Sequence, residues 1–209
     1  GIDKLSGGSG DDIIYGDGLT TPDMGYTDPF PHAGDGNDYV DGGASGDVLF
    51  GEEGDDYIVV GKDQGLCQGG YGDDIIRPGN PSQASGTTGG PDEVVGDDAQ
   101  ANVGFDLIDF SDYAAGGPGV VIDFATQNNP LVAIDQNSPF PAWFQIEGAI
   151  GTSGGDTFIG DSLGDATADN SLGNNWLIGG SGSDTFTGAG GNDIIIGGSI
   201  RLDSLIGSY

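Results

Sequence analysis

The chain is poor in the residue types on which many protein sites depend. Its 209 residues include one Cys, one Met, one His and only four Lys or Arg. A lone Cys67 excludes an internal disulfide, and one His with one Cys cannot supply the several nitrogen or sulfur ligands of a structural zinc site. Apolar runs are also short, and none approaches the roughly 18 residues of a membrane span. These absences exclude disulfide scaffolds, zinc modules and membrane-spanning helices.

The scarcity of bases leaves a strongly acidic chain. The chain has 34 Asp and Glu but only four Lys and Arg, which gives a formal net charge of −30. Such a surface repels nucleic acid, anionic membranes and acidic polysaccharides unless a cation bridges the two. Only Glu52, Glu53, Glu93 and Glu147 are Glu, and the other 30 acids are Asp. A solvated acidic surface would use both types, whereas a carboxylate held at a fixed point beside a tight turn requires the shorter Asp.

Glycine is abundant instead, and it recurs in phase. The chain has 44 Gly, and the segments Gly7–Tyr15, Gly69–Arg77 and Gly179–Thr187 each follow G-G-x-G-x-D-x-U-x, where U is a large apolar residue. Nine-residue repeats of this kind build calcium-binding parallel β-helices. Because the aliphatic residues are phased rather than scattered, we expect a folded state with calcium and a largely disordered chain without it.

The repeats form two blocks. The first, residues 1–104, carries insertions near 19–33 and 78–90, and the second covers residues 153–209. In the first block the sixth-position residues are Asp12, Asp38, Asp47, Asp56, Gly65 and Asp74, with a truncated copy at Asp92, and the U residues are Ile14, Val40, Leu49, Ile58, Cys67 and Ile76. In the second block the sixth-position residues are Asp156, Asp165, Asn175, Asp184, Asp193 and Asp203, and the U residues are Phe158, Leu177, Phe186, Ile195 and Leu205. We expect Cys67, as a U residue, to be a small buried side chain.

The segment between the blocks, residues 105–152, reads differently. Residues 105–110, 120–124 and 144–150 alternate apolar with polar or small residues, as half-buried strands do. No segment of the chain has a helical apolar period with caps. The sequence therefore predicts a strand-rich spacer and little or no helix.

The repeat also predicts the fold. Glycines in the first, second and fourth positions permit a tight turn, and x-U-x is a three-residue strand with U pointing inward. Nine residues make half a coil, so each turn stacks on the turn eighteen residues later, about 4.8 Å away. We predict an all-β parallel β-roll or β-helix solenoid of nine-residue half-coils.

Stacked turns would bring Asp carboxylates and backbone carbonyls to one point. An all-oxygen shell of about six ligands suits Ca²⁺ and is too irregular for Mg²⁺. Asp38, Asp56 and Asp74 are expected along one edge, with a continuation to Asp92, and Asp12, Asp47 and Gly65 along the other. The candidate acidic ligands are Asp12, Asp38, Asp47, Asp56, Asp74, Asp92, Asp156, Asp184, Asp193 and Asp203. The candidate turn glycines are Gly8, Gly10, Gly34, Gly36, Gly43, Gly54, Gly70, Gly72, Gly180, Gly182 and Gly191.

Some turns depart from the repeat. Gly65 and Asn175 lack the carboxylate, and Ser45 stands where the fourth-position Gly belongs. We expect sites that use these turns to be weakened, and the turn pair 47/65 to hold calcium weakly or not at all.

These motifs resemble the RTX (repeats-in-toxin) family, whose repeats form a parallel β-roll with Ca²⁺ between successive turns. Residues 105–152 are similar to the strand-rich segments that separate RTX blocks, notably at 108–111 and 146–152. The resemblance implies a secreted or cell-surface protein that is exported unfolded through a one-step channel and folds in external calcium, binding several ions. It implies no activity, because RTX repeats accompany lytic toxins, proteases, lipases, alginate epimerases, adhesins and surface-layer proteins. The chain begins almost inside a repeat, and we expect it to be part of a larger protein.

Three functions remain open at this point. The first is a calcium-binding structural and secretion module. The second is a non-catalytic part of a secreted enzyme: the repeat register explains nearly every acid, and His32, in a Pro-rich insertion, is expected to be a surface loop residue. The third is adhesion or partner binding through the insertions that hold Phe30 and Phe140 with Trp143, since exposed aromatic residues next to proline can form contact surfaces. The alternative, which we favour, is that these aromatic residues fold back and cover the apolar side of the roll.

Overall fold

The protein is built from short parallel strands. A computed structural model describes residues 4–9, 13–15, 36–44, 46–61, 65–78, 93–97, 104–113, 119–124, 142–144, 146–161 and 173–199. The strands are β1 (Lys4–Ser9), β2 (Ile13–Tyr15), β3 (Tyr39–Ala44), β4 (Val48–Glu53), β5 (Tyr57–Val59), β6 (Leu66–Tyr71), β7 (Ile75–Arg77), β8 (Glu93–Asp97), β9 (Leu107–Asp109), β10 (Val121–Asp123), β11 (Ala142–Phe144), β12 (Gly148–Ile150), β13 (Thr157–Ile159), β14 (Trp176–Ile178), β15 (Thr185–Thr187) and β16 (Ile194–Ile196). No α-helix occurs in these ranges. The all-β fold class predicted from the repeat is confirmed.

The strands are distributed over three open sheets. The largest has eight strands in the order β1-β3-β5-β7-β9-β12-β14-β16, a second has β11-β8-β6-β4-β2, and a third has β10-β13-β15. In the first block, odd-numbered strands enter the large sheet and even-numbered strands enter the five-stranded sheet, so each half-coil contributes one strand to one side. This alternation is the β-roll solenoid that the nine-residue period predicts.

The strand register follows the predicted eighteen-residue coil. Val40 pairs with Ile58 and Ile58 with Ile76 in the large sheet, and Leu49 pairs with Cys67 on the other side. The strands of segment 105–152 join the same sheets, since β9 pairs with both β7 and β12. The three-part division of the chain stays a prediction, but strands of all three parts share the eight-stranded sheet.

The core is a column of U residues between the sheets. Val40, Leu49, Ile58 and Ile76 have no exposed surface. The same cluster continues through Val94, Ile108, Ile122, Phe158 and Leu177. Fully burying one such side chain is worth roughly 1.5–3 kcal/mol. The inward burial predicted for U is therefore confirmed at these positions. It is wrong for Ile195, which is 47% exposed because β16 is the edge strand of the large sheet and no further coil covers it.

A second apolar cluster lies on the outer face of the large sheet. It consists of Tyr57, Ile75 and Leu107, with Tyr39, Val59, Phe105 and Trp176 packed against them. The residues beside U lie on the sheet face away from the core column, yet Ile75 and Leu107 are only 1% and 2% exposed. A Cβ on Gly148 would collide with the Leu107 side chain, so this glycine leaves the space that Leu107 fills. The nine-residue pattern does not reveal this layer, because it specifies only the inward positions.

One ion pair joins the first block to the middle segment. Arg77 Nη2 and Nε donate to Asp109 Oδ2 at 2.6 and 3.1 Å, and Tyr57 Oη donates to the same oxygen at 3.3 Å. Asp109 is fully buried. Since a buried carboxylate needs such partners, Arg77 stabilises the contact between β7 and β9.

Cys67 provides a test of the register. It is fully buried, and its neighbours across the five-stranded sheet are Leu49 and Val94. We expect thiol labelling to be at least about tenfold slower with Ca²⁺ than in chelator, because a thiol in a packed core reacts only when the coil opens. Equal labelling rates in the two conditions would show that the buried position of Cys67 is wrong.

Several expectations fall on residues that the structure does not describe. These are the insertion at 19–33, residues 79–90 of the second insertion, Phe30, His32, Ser45, Phe140 and Asp165, and Trp143 is described only as part of the backbone of β11. In the described ranges, no helix has the length and apolar character needed to cross a bilayer.

Candidate metal centre

Five strands of the repeats are directly preceded by a buried carboxylate. Asp38, Asp47, Asp56 and Asp74 have no exposed surface, and Asp156 is 1% exposed. An isolated ionised carboxylate is very costly to remove from water unless hydrogen bonds or a cation compensate it. The partners of these groups therefore decide what the turns can bind.

Backbone hydrogen bonds link the carboxylates from coil to coil. The Asp38 N–H donates to Asp56 Oδ1 at 2.7 Å, and the Asp56 N–H donates to Asp74 Oδ1 at 2.8 Å, each across eighteen residues. The row continues as the Asp74 N–H donates to Asp106 Oδ1 at 2.8 Å and the Asp106 N–H to Glu147 Oε2 at 2.9 Å. One oxygen of each acceptor carboxylate thus points to the preceding coil.

The other carboxylate oxygen lies above a glycine. A Cβ on Gly51, the first residue of its half-coil, would collide with Asp56 Oδ2 and with the Gly69 carbonyl oxygen of the next coil. A Cβ on Gly42 would lie 2.5 Å from Asp47 Oδ2 and 2.8 Å from the Val60 carbonyl oxygen. We call this space an oxygen cradle: a carboxylate oxygen of one half-coil and a carbonyl oxygen of the next coil, both close above a first-position glycine. The cradle exists only because the glycine has no side chain.

Asp184 shows what such a carboxylate lacks. Its Oδ1 accepts the Asp156 N–H at 3.0 Å. Its Oδ2 is buried and has no hydrogen-bond partner, and it lies close above the first-position glycine Gly179. A buried anionic oxygen with no donor is costly, so a cation fits this position.

Asp156 shows the electrostatic consequence of burial. Burial raises the pKa of Asp156 above its ordinary value, while hydrogen bonds from the Val120 N–H, the Thr152 hydroxyl and the Thr152 N–H oppose the shift. The Thr152 hydroxyl donates to Asp156 Oδ1 at 2.9 Å. Even with three donors, the ionised form is less stable here than in water. A nearby cation would stabilise it and lower the pKa again.

Glycines with a positive φ bring the turns into contact. Gly54 and Gly72 have φ of 133° and 126°. A Cβ on Gly54 would collide with the Gly36 carbonyl oxygen, and one on Gly72 with the Gly54 carbonyl oxygen. Side chains would be strained in this conformation and would separate the coils. The glycines thus place carbonyl oxygens along the same edge as the carboxylates.

This ligand set fits calcium. Among the described residues, no three His, Cys, Asp or Glu side chains converge on one point. The cradles instead combine a carboxylate with backbone carbonyls, and Ca²⁺ accepts six to eight oxygen ligands of both kinds at flexible geometry.

A second hydrogen-bond ladder runs beside the first in the opposite direction. It uses the fifth repeat position: the Asp55 N–H donates to Asn37 Oδ1 at 3.0 Å, and the Asp73 N–H donates to Asp55 Oδ1 at 3.0 Å. The Phe105 N–H continues it to Asp73 Oδ1 at 2.9 Å. The ladder needs only an acceptor oxygen at this position, which Asn and Asp both supply, so the repeat pattern leaves the position unspecified. Asn37 also donates from Nδ2 to Asp55 Oδ2 at 3.3 Å.

The predicted edges are largely as expected, with one correction. Asp38, Asp56 and Asp74 form one row, but this row continues to Asp106 and not to Asp92. Glu93, which follows Asp92, pairs with Leu66 in the five-stranded sheet. Each half-coil carries the chain to the opposite sheet, whatever the length of its turn. The strand after the insertion at 78–90 therefore enters the five-stranded sheet as β8, and the next strand, β9 after Asp106, returns to the large sheet.

The other candidate positions divide as follows. Asp47 and Gly65 share an edge, since the strands that follow them pair from Val48 with Leu66 onward. Asp193 Oδ1 accepts the Asn175 N–H at 3.0 Å. Positive φ angles occur at Gly8, Gly43, Gly54, Gly70, Gly72, Gly180, Gly182 and Gly191. The side chains or backbone of Asp12, Asp92, Asp203, Gly10 and Gly34 lie outside the described residues.

Sequence reasoning missed Asp106 and Glu147 as members of the row. A signal was present for the first: Gly104-Phe105-Asp106-Leu107-Ile108 keeps the G-x-D-x-U half of the repeat. Glu147 carries no such signal, because the glycines that precede the acid in a repeat are absent there. Its longer side chain reaches the Asp106 N–H in place of Asp.

Asn175 interrupts the row with a neutral amide. Its Oδ1 accepts the Asp161 N–H at 3.0 Å, and its Nδ2 donates to the Glu147 carbonyl oxygen at 3.3 Å. These partners allow only one orientation of the amide, since one is a donor and the other an acceptor. The amide N–H therefore contacts a carbonyl oxygen that a carboxylate would repel.

Replacing Asn175 by Asp should make this junction calcium-dependent. The variant Asn175→Asp loses the donor to Glu147, a loss of about 1–3 kcal/mol, and gains a carboxylate beside a carbonyl. We expect a lower melting temperature in low calcium and a steeper rise with added Ca²⁺ than for the unmodified chain. The control is Asn174→Asp, which adds the same charge but keeps an acceptor for the Asn192 N–H. A calcium dependence equal to that of the control would contradict this role of Asn175.

Comparison with known proteins agrees with the geometry. The model of the RTX calcium-binding nonapeptide repeat matches the chain in four copies, over residues 1–18, 32–65 and 169–199. No curated protein matches the chain.

Proposed function

We propose that this chain, which carries RTX calcium-binding nonapeptide repeats, is a calcium-binding structural module of a larger secreted or cell-surface protein. The observation that carries the proposal is the oxygen cradle, in which a buried carboxylate oxygen and a carbonyl oxygen of the next coil lie above one glycine. Calcium in these positions would join adjacent coils and neutralise the carboxylate rows.

The proposed ligands are the sixth-position carboxylates and the carbonyls of the stacked turns. The acids are Asp12, Asp38, Asp47, Asp56, Asp74, Asp92, Asp156, Asp184, Asp193 and Asp203. The cradles above Gly42, Gly51, Gly69 and Gly151 support this assignment for their half-coils. Asp106 extends the row into a part of the chain that the repeat model does not match.

The proposed setting is the cell exterior. Without calcium, rows of like charge oppose the fold, so the chain would remain unfolded during export and fold where calcium is millimolar. The net charge of −30 supports this view.

The repeats are a non-catalytic structural element, and the activity of the larger protein is open between two alternatives. It could be an adhesion or partner-binding protein that uses the insertions around Phe30 and Phe140 with Trp143, or a secreted protease, lipase or polysaccharide-modifying enzyme.

Filling one cradle tests the proposed metal site directly. In Gly51→Ala the new methyl group would collide with Asp56 Oδ2 and the Gly69 carbonyl oxygen, so we expect fewer bound ions and a higher calcium midpoint for folding. Gly197→Ala is the matched control, because a Cβ there has no atom within 4 Å. Calcium binding is measured by isothermal titration calorimetry. Equal ion numbers and midpoints for both variants would overturn the assignment.

A further inference from the structure

In six of the described half-coils, a glycine in the first position lies directly against an acid in the sixth. The carboxylate occupies the space that a first-position side chain would need. The pairs are Gly42 with Asp47, Gly51 with Asp56, Gly69 with Asp74, Gly151 with Asp156, Gly179 with Asp184 and Gly188 with Asp193.

In the half-coil that begins at Val60, the order of the small and the large residue is reversed. Its first residue is Val60, and its sixth is Gly65. Val60 is fully buried in the core cluster, and its Cγ1 lies 2.6 Å from the position of a Cβ on Gly65. The valine side chain therefore fills the space that an aspartate side chain occupies in the other half-coils.

The coil is otherwise regular at this point. The Val60 N–H donates to the Arg77 carbonyl oxygen at 2.9 Å, and the Leu66 N–H donates to the Asp47 carbonyl oxygen at 2.9 Å. The Val60 carbonyl oxygen still lies close to the Gly42 cradle. Having Val60 and Gly65 in place of Gly and Asp thus changes the side chain inside the turn from a carboxylate to a hydrocarbon, while the backbone hydrogen bonds of the coil stay the same.

A second half-coil shows a related change. Phe110 takes the first position, because its N–H donates to Ile150 as the Val60 N–H does to Arg77. Val120 takes the sixth position, since its N–H donates to Asp156 Oδ1 as a sixth-position Asp would. Both side chains are 1% exposed and belong to the core cluster. A large apolar residue in the first position again accompanies the loss of the acid.

We propose that Val60 is an apolar plug that replaces the metal-binding carboxylate of its half-coil, so that this turn closes without a calcium ion of its own. The inference rests on the proposed calcium function and adds a rule to it: the residue pair in the first and sixth positions decides whether a turn takes metal. Glycine with Asp makes a cradle, and valine with glycine fills the same space with hydrocarbon. The plug is stabilised by apolar burial, which needs no cation.

The test exchanges the pair in both directions. Val60→Gly with Gly65→Asp restores the cradle, and we expect one more bound Ca²⁺ than in the unmodified chain. Gly51→Val with Asp56→Gly transplants the plug, and we expect a folded chain that binds one ion fewer. Ion numbers are measured by equilibrium dialysis with Ca²⁺ alone, and folding by circular dichroism in saturating Ca²⁺.

Single variants separate the plug from a general packing effect. Gly65→Asp should lower the melting temperature without adding an ion, because Val60 occupies the space of the new carboxylate. Val60→Gly should also lower it and leave the ion number unchanged. If the unmodified chain binds calcium but neither double variant changes the ion number, the plug is wrong. If the unmodified chain binds no calcium, the proposed function itself fails. Should the first double variant not fold, the transplant alone decides: an unchanged ion number overturns the plug.

Discussion

Removing calcium should convert this chain from a β-rich fold to a largely disordered one. Asp38, Asp56, Asp74 and Asp106 form a fully buried row with one acid in each coil. Carboxylates about 4.8 Å apart, one coil spacing, repel each other by roughly 3 kcal/mol per neighbouring pair at an effective dielectric constant of about 20. Summed over a row, this repulsion is comparable to the whole stability of a typical domain, about 5–15 kcal/mol.

Far-UV circular dichroism measures the effect. We expect a disordered spectrum in chelator and a β-sheet spectrum at millimolar Ca²⁺, with a cooperative transition between them. Mg²⁺ at the same concentration controls for ionic strength, and it should restore little structure because its small octahedral shell does not suit these turns. A fully β-structured chain in chelator would contradict metal-dependent folding.

Asp56→Ala should impair calcium binding more than the loss of an acid at the end of a row. Asp56 supplies the carboxylate of the Gly51 cradle, and its Oδ1 accepts the Asp38 N–H. Its neighbour Asp74 accepts the Asp56 N–H in turn. Alanine leaves the buried Asp38 N–H without its acceptor, at about 1–3 kcal/mol, and removes a charged ligand between two coils. We expect the calcium midpoint of folding to rise by about fivefold or more.

Two comparisons make this prediction specific. Asp12→Ala, at a residue that the repeat register predicts for the other edge, should disturb at most one site and raise the midpoint less. Asp41→Ala removes a half-buried acid from the outer side of β3, outside the sixth-position rows, and should leave the midpoint nearly unchanged. If Asp12→Ala raises the midpoint as much as Asp56→Ala does, the assignment of the two edges is wrong.

The repeat pattern was sufficient to predict which acids share an edge where the spacing is regular. Asp38, Asp56 and Asp74 could be placed on one edge because no insertion interrupts the nine-residue spacing between them. Beyond Asp74 the count fails, since Asp106 lies 32 residues on and Glu147 a further 41. Counting residues cannot identify the next member of a row when turns vary in length, whereas hydrogen-bond register can.

By itself, the sequence determined the all-β solenoid, the inward U column and the oxygen-only ligand chemistry, because these depend on local period and residue type. Three features were decided by the tertiary structure alone. It determined which coils are neighbours beyond Asp74, and it buried Tyr57, Ile75 and Leu107 on the outer face of the large sheet. It also placed the Val60 side chain where other half-coils have a carboxylate. All three depend on contacts between residues far apart in the chain. A nine-residue pattern describes one half-coil, but the space available to a side chain is set by the coil stacked upon it.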